Sequence, residues 1–180
     1  MEGKTRFLAV ALTILSGCAW FERPTGPPVQ VVPGVDISRY AGTWYEIAKY
    51  PNRFQKGCVA TSATYTVLPG GRAIEVVNRC RKGSLDGPER SIKGKARVVD
   101  GETNARLKVT FFWPFSGDYW IIDLGPEYEY AVVASPNRKY LWILSRTPRM
   151  EGEVYDRIIE RVRAQHFDPS RLERTPQPGM

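Results

Sequence analysis

The chain has 180 residues, 42% of them hydrophobic, with 26 basic and 19 acidic side chains and a net charge of +7. That length suits one domain with a sizeable core. With Cys18 assigned to a lipid anchor, as set out below, Cys58, Cys80 and a lone His166 fall short of the four Cys or His ligands of an ordinary structural zinc site, so no metal and no cofactor is expected.

The first element is a leader. Lys4 and Arg6 precede the apolar run Phe7 to Leu15, far short of the ~20 residues that span a bilayer as a helix. Charge and proline follow at once in Glu22, Arg23 and Pro24. A basic start, a short apolar core and small residues before a cut describe a secretory signal over 1–17. Leu15-Ser16-Gly17-Cys18 resembles a bacterial lipobox. The resemblance implies that Cys18 is acylated and begins the mature chain, and Ala19 after it implies an outer-membrane address. Several acyl chains hold a protein on a membrane where a single one does so only marginally. Export also removes nucleic acid as a partner of the basic chain and leaves anionic headgroups, or plain solubility, as the use of its charge.

Residues 18–34 carry Pro24, Pro27, Pro28 and Pro33 and read as an extended tether. Trp20 and Phe21 beside the anchor suit the membrane interface. From Gly42 the pattern turns to short strands, near 42–50, 58–68, 73–80, 89–99, 106–112, 117–124, 129–135 and 140–146. Pro69-Gly70-Gly71, Asp100-Gly101, Trp113-Pro114, Gly125-Pro126 and Ser135-Pro136-Asn137 mark the turns. Ile92, Gly94, Ala96 and Val98 share one face against Ser91, Lys93, Lys95 and Arg97. Such a meander reads as an up-and-down barrel or a sandwich. Val154, Tyr155, Ile158, Ile159 and Val162 then recur at helical spacing, predicting a helix packed outside the sheet, and residues 168–180 read as an extended tail.

Val35 to Ala48, containing Gly42-Thr43-Trp44-Tyr45, resembles the first lipocalin motif, and Tyr140 to Pro148, with Arg146, resembles the bacterial form of the third. The second motif departs from the family pattern at Leu124 to Ala131. Over 35–180 the chain is similar to bacterial lipocalins of the outer-membrane lipoprotein subgroup and to apolipoprotein D. The resemblance implies an all-β fold: an eight-stranded antiparallel barrel with one C-terminal helix outside. In such a meander Trp44 opens the first strand and Arg146 closes the eighth, so barrel closure brings guanidinium and indole together at the closed end, with Gly42 beside them. Cys58 opens the second strand and Cys80 ends the third, opposite each other across the hairpin at 69–71. In an oxidising compartment the two are expected to form a disulfide; two free thiols are the alternative.

A barrel of this size has room for one small ligand. Parity nominates Tyr65, Ile92, Val98, Val109, Phe111, Tyr119, Tyr130 and Val132 as its wall. In strands six to eight both faces are apolar, so parity alone does not choose the inward one. The apolar turn Phe112-Trp113-Pro114-Phe115 reads either as a gate, with Trp113 touching ligand, or as rim packing. Arg53, Lys56, Arg81 and Lys82 are candidates to meet a phosphate or carboxylate head. The family resemblance implies a lipid ligand, a fatty acid or lysophospholipid, taken up beside the membrane by a monomer or homodimer. No Gly-x-Ser-x-Gly elbow is present, and Glu46 and Asp118 read as ordinary hydrogen-bonded or solvated carboxylates, so no catalytic residue is assigned. The competing reading is an envelope scaffold, with a lipid-acting enzyme behind it.

Overall fold

The structure is a computed structural model that describes residues 26–179. The expected leader, Cys18 and residues 19–25 lie outside the described residues. Eight strands follow one another as β1 (Gly42–Lys49), β2 (Cys58–Val67), β3 (Ala73–Lys82), β4 (Glu89–Val98), β5 (Arg106–Phe112), β6 (Phe115–Leu124), β7 (Tyr130–Ala134) and β8 (Leu141–Ser145). Each pairs antiparallel with the next, β8 returns to β1, and β1 pairs with β2 from Gly42 opposite Tyr65 to Tyr45 opposite Ser62. The sheet is a closed barrel, which leaves no long strand edge unpaired. Its alternation is that of β4, where Ala96 and Val98 are buried while Lys93, Lys95 and Arg97 face solvent.

Two apolar layers sit on opposite sides of the same sheet. The lumen holds Trp44, Tyr65, Ile74, Val76, Ala96, Val98, Leu107, Ile121, Val133 and Leu144. Outside β6, β7, β8 and β1, a second layer joins Ile122, Val132, Leu141 and Ile143 to Ile158 and Val162 of helix α2 (Gly152–Ala164). Burying each such aliphatic side chain is worth about 1.5–3 kcal/mol. This layer explains why all five residues of β7 are buried. It also corrects two wall assignments. Tyr130 and Val132 face the helix, and Ala131 and Val133 face the lumen. The Tyr130 hydroxyl accepts from Arg161 Nη1 of α2 at 2.7 Å, and a register shift between Ile121 and Asp123 of β6 changes the phase of alternation.

Three further elements depart from the sequence reading. Residues 26–34 are not a free tether: Val29 is buried, and Val32 N–H donates to Ile121 O at 3.0 Å, so this segment lies along the barrel wall. A four-residue helix, here α1 (Ile37–Tyr40), precedes β1, with Asp36 accepting from the Ser38 and Arg39 N–H groups as its N-cap. The tail is structured too. After a 3-10 turn at Pro169–Arg171, the short strand β9 (Glu173–Arg174) pairs with β1, and Thr175 N–H donates to Ile47 O at 3.0 Å. Gln177 Nε2 bridges the carbonyls of Glu46 and Thr61, each at 2.9 Å. The tail thereby fills the gap where β1 and β2 part above Tyr45.

Candidate functional site: floor, lumen and mouth of the barrel

The meander puts the turns after β2, β4 and β6 at one end, with α1 and the residue after β8. This end is closed. Arg146 lies with its guanidinium carbon 3.8 Å from the centre of the Trp44 ring. Its nitrogens donate to Arg39 O at 2.6 Å, Tyr128 O at 3.1 Å and Thr43 O at 3.2 Å. Trp44 is fully buried and its indole N–H donates to Tyr40 O at 2.8 Å. Gly42 has a φ of +98°, and a Cβ there would stand 3.2 Å from Arg146 Nη1. Glycine therefore suits both the left-handed backbone and the approach of the guanidinium. One cation thus ties α1, β1 and the β6–β7 turn into a plug.

Above the plug the wall is hydrocarbon with one polar cluster. Tyr119 Oη lies 2.7 Å from Tyr40 Oη and 3.0 Å from Tyr65 Oη. Burial raises all three phenols, the Tyr65 hydroxyl to about 12, so they remain protonated at neutral pH. Gly94 and Phe111 fit as a pair: a Cβ on Gly94 would stand 2.7 Å from Phe111 Cδ1 and 2.6 Å from Thr110 O. Of the sequence-nominated wall, Tyr65 and Val98 are buried in the lumen cluster, and Val109, Phe111 and Tyr119 pack on it while keeping some exposed surface. Ile92 is partly exposed on the same face of β4 as Ala96 and Val98.

The opposite end carries the turns after β1, β3, β5 and β7. The disulfide expected between Cys58 and Cys80 is present there, with Cα atoms 5.5 Å apart. Trp113 is 88% exposed, Phe115 77%, Phe112 70% and Phe54 65%. The three from the β5–β6 turn project from the tip of that hairpin, so Trp113 is not a wall residue of the described barrel. Phe54 instead leans over Tyr140 and Trp142, at centroid distances of 5.5 and 6.3 Å. Of the four candidate head-group cations, Lys82 Nζ is spent on Lys56 O, and Arg81 Nη1 on Gly87 O at 3.0 Å. Arg53 and Lys56 are exposed at the rim.

Two carboxylates have ordinary structural partners. Asp118 pairs with Lys108 at 2.8 Å on the outer wall. Glu46 is buried and accepts from Thr175 Oγ1 at 2.6 Å and Gln55 Nε2 at 2.5 Å; burial pushes its carboxyl up. Gln55 Oε1 in turn accepts from Trp142 Nε1 at 2.9 Å.

Two functional positions escape the sequence reading. Tyr40 sits on a helix too short for periodicity to reveal, although Ile37 and Tyr40 already stand three apart. Arg90 lies opposite Cys80 on the lumen-facing parity of β4, exposed at the mouth; the alternation Ile92, Gly94, Ala96, Val98 carried one step further would have found it.

Comparison with known proteins agrees with this geometry. The family described as a lipocalin-like domain matches residues 35–177. The chain is 40% identical over 175 residues to the outer membrane lipoprotein Blc of Escherichia coli (strain K12), covering 95% of this chain and 94% of that protein. It is 42% identical over 158 residues to temperature-induced lipocalin-1 of Arabidopsis thaliana, covering 83% of each. Apolipoprotein D of Macaca fascicularis is 34% identical, covering 85% of this chain and 82% of that protein. Among solved structures, insecticyanin of the tobacco hornworm Manduca sexta superposes with a TM-score of 0.69 at 21% identity, covering 85% of this chain and 86% of that one.

Proposed function

Given that the chain belongs to the lipocalin family, we propose that it is an outer-membrane-anchored carrier for an amphiphile with one long acyl chain, a fatty acid or a lysophospholipid. The observation that carries this reading is the lumen itself. Inside a closed barrel, Val109, Phe111, Tyr119 and Trp142 keep exposed surface above a sealed floor. Burying a chain there stabilises the complex by about 0.8 kcal/mol per methylene, while Arg53, Lys56 and Arg90 surround the mouth where a charged head rests. The protein binds and releases; it does not turn its ligand over. Outer-membrane placement is supported by the likeness to a protein named as an outer membrane lipoprotein.

Acylation of Cys18 also orients the barrel. The described chain begins at Gly26, where a Cβ would stand 3.6 Å from His166 and 3.9 Å from Arg138 of the β7–β8 turn, a mouth-end turn. Gly26 is eight positions beyond Cys18, a reach of about 25 Å if extended at ~3.1 Å per residue. Residues 26–35 run from there towards the floor, ending with Val35 N–H on Thr103 O at 2.8 Å. A floor-down barrel would force the tether to double back over that whole length. Mouth-down presents the Phe112–Phe115 tip to the bilayer, where aromatic rings are favoured.

The test is displacement of a fluorescent fatty acid from the mature chain carrying Cys18→Ser. Saturable displacement by lysophospholipid is expected, and no saturable binding of either ligand would overturn the carrier reading. For orientation, in a Trp20→Phe background that removes the tryptophan beside the anchor, brominated lipids should quench the fluorescence of the acylated protein in vesicles, and a further Trp113→Phe should remove most of that quenching. Equal quenching of both proteins counts against a mouth-down barrel.

A further inference from the structure

The three phenols at the bottom of the lumen do not balance as a closed hydrogen-bonded set. Tyr40, Tyr65 and Tyr119 bring three O–H donors, and the two contacts of 2.7 and 3.0 Å use two of them. One hydrogen is left without an acceptor inside the triad. The side chains that share its cluster are hydrocarbon: Ile74, Val76, Ala96, Val98, Leu107 and Ile121. A donor left unpaired in such surroundings is costly.

Access decides which hydroxyl holds that hydrogen when a ligand is bound. Tyr40 and Tyr65 are buried, whereas Tyr119 is only partly buried and packs against the lumen cluster from its edge. An oxygen has two lone pairs, so Tyr119 Oη can accept from both neighbours and keep its own O–H for the lumen. Accepting two hydrogen bonds also polarises that O–H and strengthens it as a donor.

We infer that the triad is a deep polar subsite in which Tyr119 donates a hydrogen bond to an uncharged oxygen, hydroxyl or carbonyl, on the buried part of the ligand. A carboxylate does not fit. One neutral donor does not offset the desolvation of an ionised group, and the nearby Arg146 has its nitrogens on three carbonyls and its face on Trp44. Burial keeps the three phenols in the protonated form that the subsite requires. The inference rests on the acyl-chain carrier reading and adds a selectivity: chains oxygenated near their far end are held better than plain ones.

The experiment compares octadecanoic acid with 17-hydroxyoctadecanoic acid on the full mature chain carrying Cys18→Ser. Wild type is expected to favour the hydroxy acid by about 3- to 10-fold, the range of one net hydrogen bond. Tyr119→Phe should abolish or reverse that preference, read as the ratio of the two acids' affinities for the same variant. Tyr65→Phe should keep it, because Tyr119 retains its own hydrogen. No preference in wild type, an undiminished preference in Tyr119→Phe, or its equal loss in Tyr65→Phe overturns the subsite while leaving the carrier intact. Failure of wild type to bind the plain acid removes the carrier reading and the subsite with it.

Discussion

Replacing Arg146 by alanine should cost the fold about 2–4 kcal/mol. The guanidinium contributes a cation–π contact at 3.8 Å and three charge-assisted hydrogen bonds to main-chain carbonyls. A partly desolvated contact of this kind is worth about 1–2 kcal/mol. Hydrogen bonds from a charged group bring about 1.5–3 kcal/mol each when buried, but two of these three lie at the exposed rim of the floor. Water can take over at those two carbonyls, so the full sum is not lost. For a domain of this size 1 kcal/mol shifts the melting temperature by about 2–4 °C, which places the loss near 4–16 °C. Arg146→Lys should recover only the cation–π share, since an ammonium lacks the planar fork that reaches three carbonyls in different directions. Calorimetric melts of wild type, Arg146→Lys and Arg146→Ala at one pH check the order. An Arg146→Ala melt within about 1 °C of wild type, using the same scale, would refute the plug, as would a lysine variant as stable as the arginine.

The remaining predictions concern the seam, the wall and the mouth. Cys58→Ser with Cys80→Ser, opening a loop with a sequence separation of 22, should lower stability by about 3 kcal/mol in the chain-entropy account, read by urea unfolding; an unchanged midpoint would count against it. Gly94→Val should displace the Phe111 ring, which a Cβ would meet at 2.7 Å, and cost at least the ~1–3 kcal/mol of overpacking together with a weaker affinity for long acyl chains. The raised Glu46 carboxyl binds its proton more tightly folded than unfolded, so its contribution is present below the unfolded pKa and is lost as pH rises through the folded one. The melting temperature of wild type relative to Glu46→Gln should therefore fall between pH 4 and pH 8, and a pH-independent difference would refute this.

Strands were legible in the sequence wherever one face met solvent. In β4 the run Lys93, Lys95 and Arg97 against Ala96 and Val98 leaves no choice of register. In β7 that signal vanishes, because α2 covers the outer face and Tyr130 and Val132 are as buried as Ala131 and Val133. Parity without a polar face cannot tell lumen from helix contact. The floor was legible for a different reason: Trp44 and Arg146 sit at the two chain ends of the meander, and closure must join them. Its third member, Tyr40, was not, since a single turn of helix carries no periodicity. Residues 26–34 misled through composition: prolines suggest an unpacked tether, yet Val29 and Val32 supply enough apolar surface to dock the segment.

The docked segment bears directly on what the proposed anchor at Cys18 would do. A free tether of seventeen residues from Cys18 to Gly34 would reach about 50 Å at ~3.1 Å per residue and let the barrel sample any attitude to the bilayer. With 26–34 bound along the wall, the greatest reach from Cys18 to the docked chain falls to about half of that at ~3.1 Å per residue, and it is counted from Gly26 beside the β7–β8 turn rather than from the floor. Under the proposed acylation of Cys18, the mouth, its aromatic tip and the rim cations lie on the side of the barrel nearest the membrane. A chain entering from that side meets charge first, hydrocarbon next and the Tyr119 hydroxyl last. With the proposed carrier function and its tyrosine subsite, that sequence of environments would sort ligands twice, by head at the rim and by far end at the floor. A barrel tethered floor-down would present the same lumen to the aqueous phase, where a long-chain amphiphile is scarce, so the position of Gly26 bears on ligand supply as directly as the wall bears on affinity.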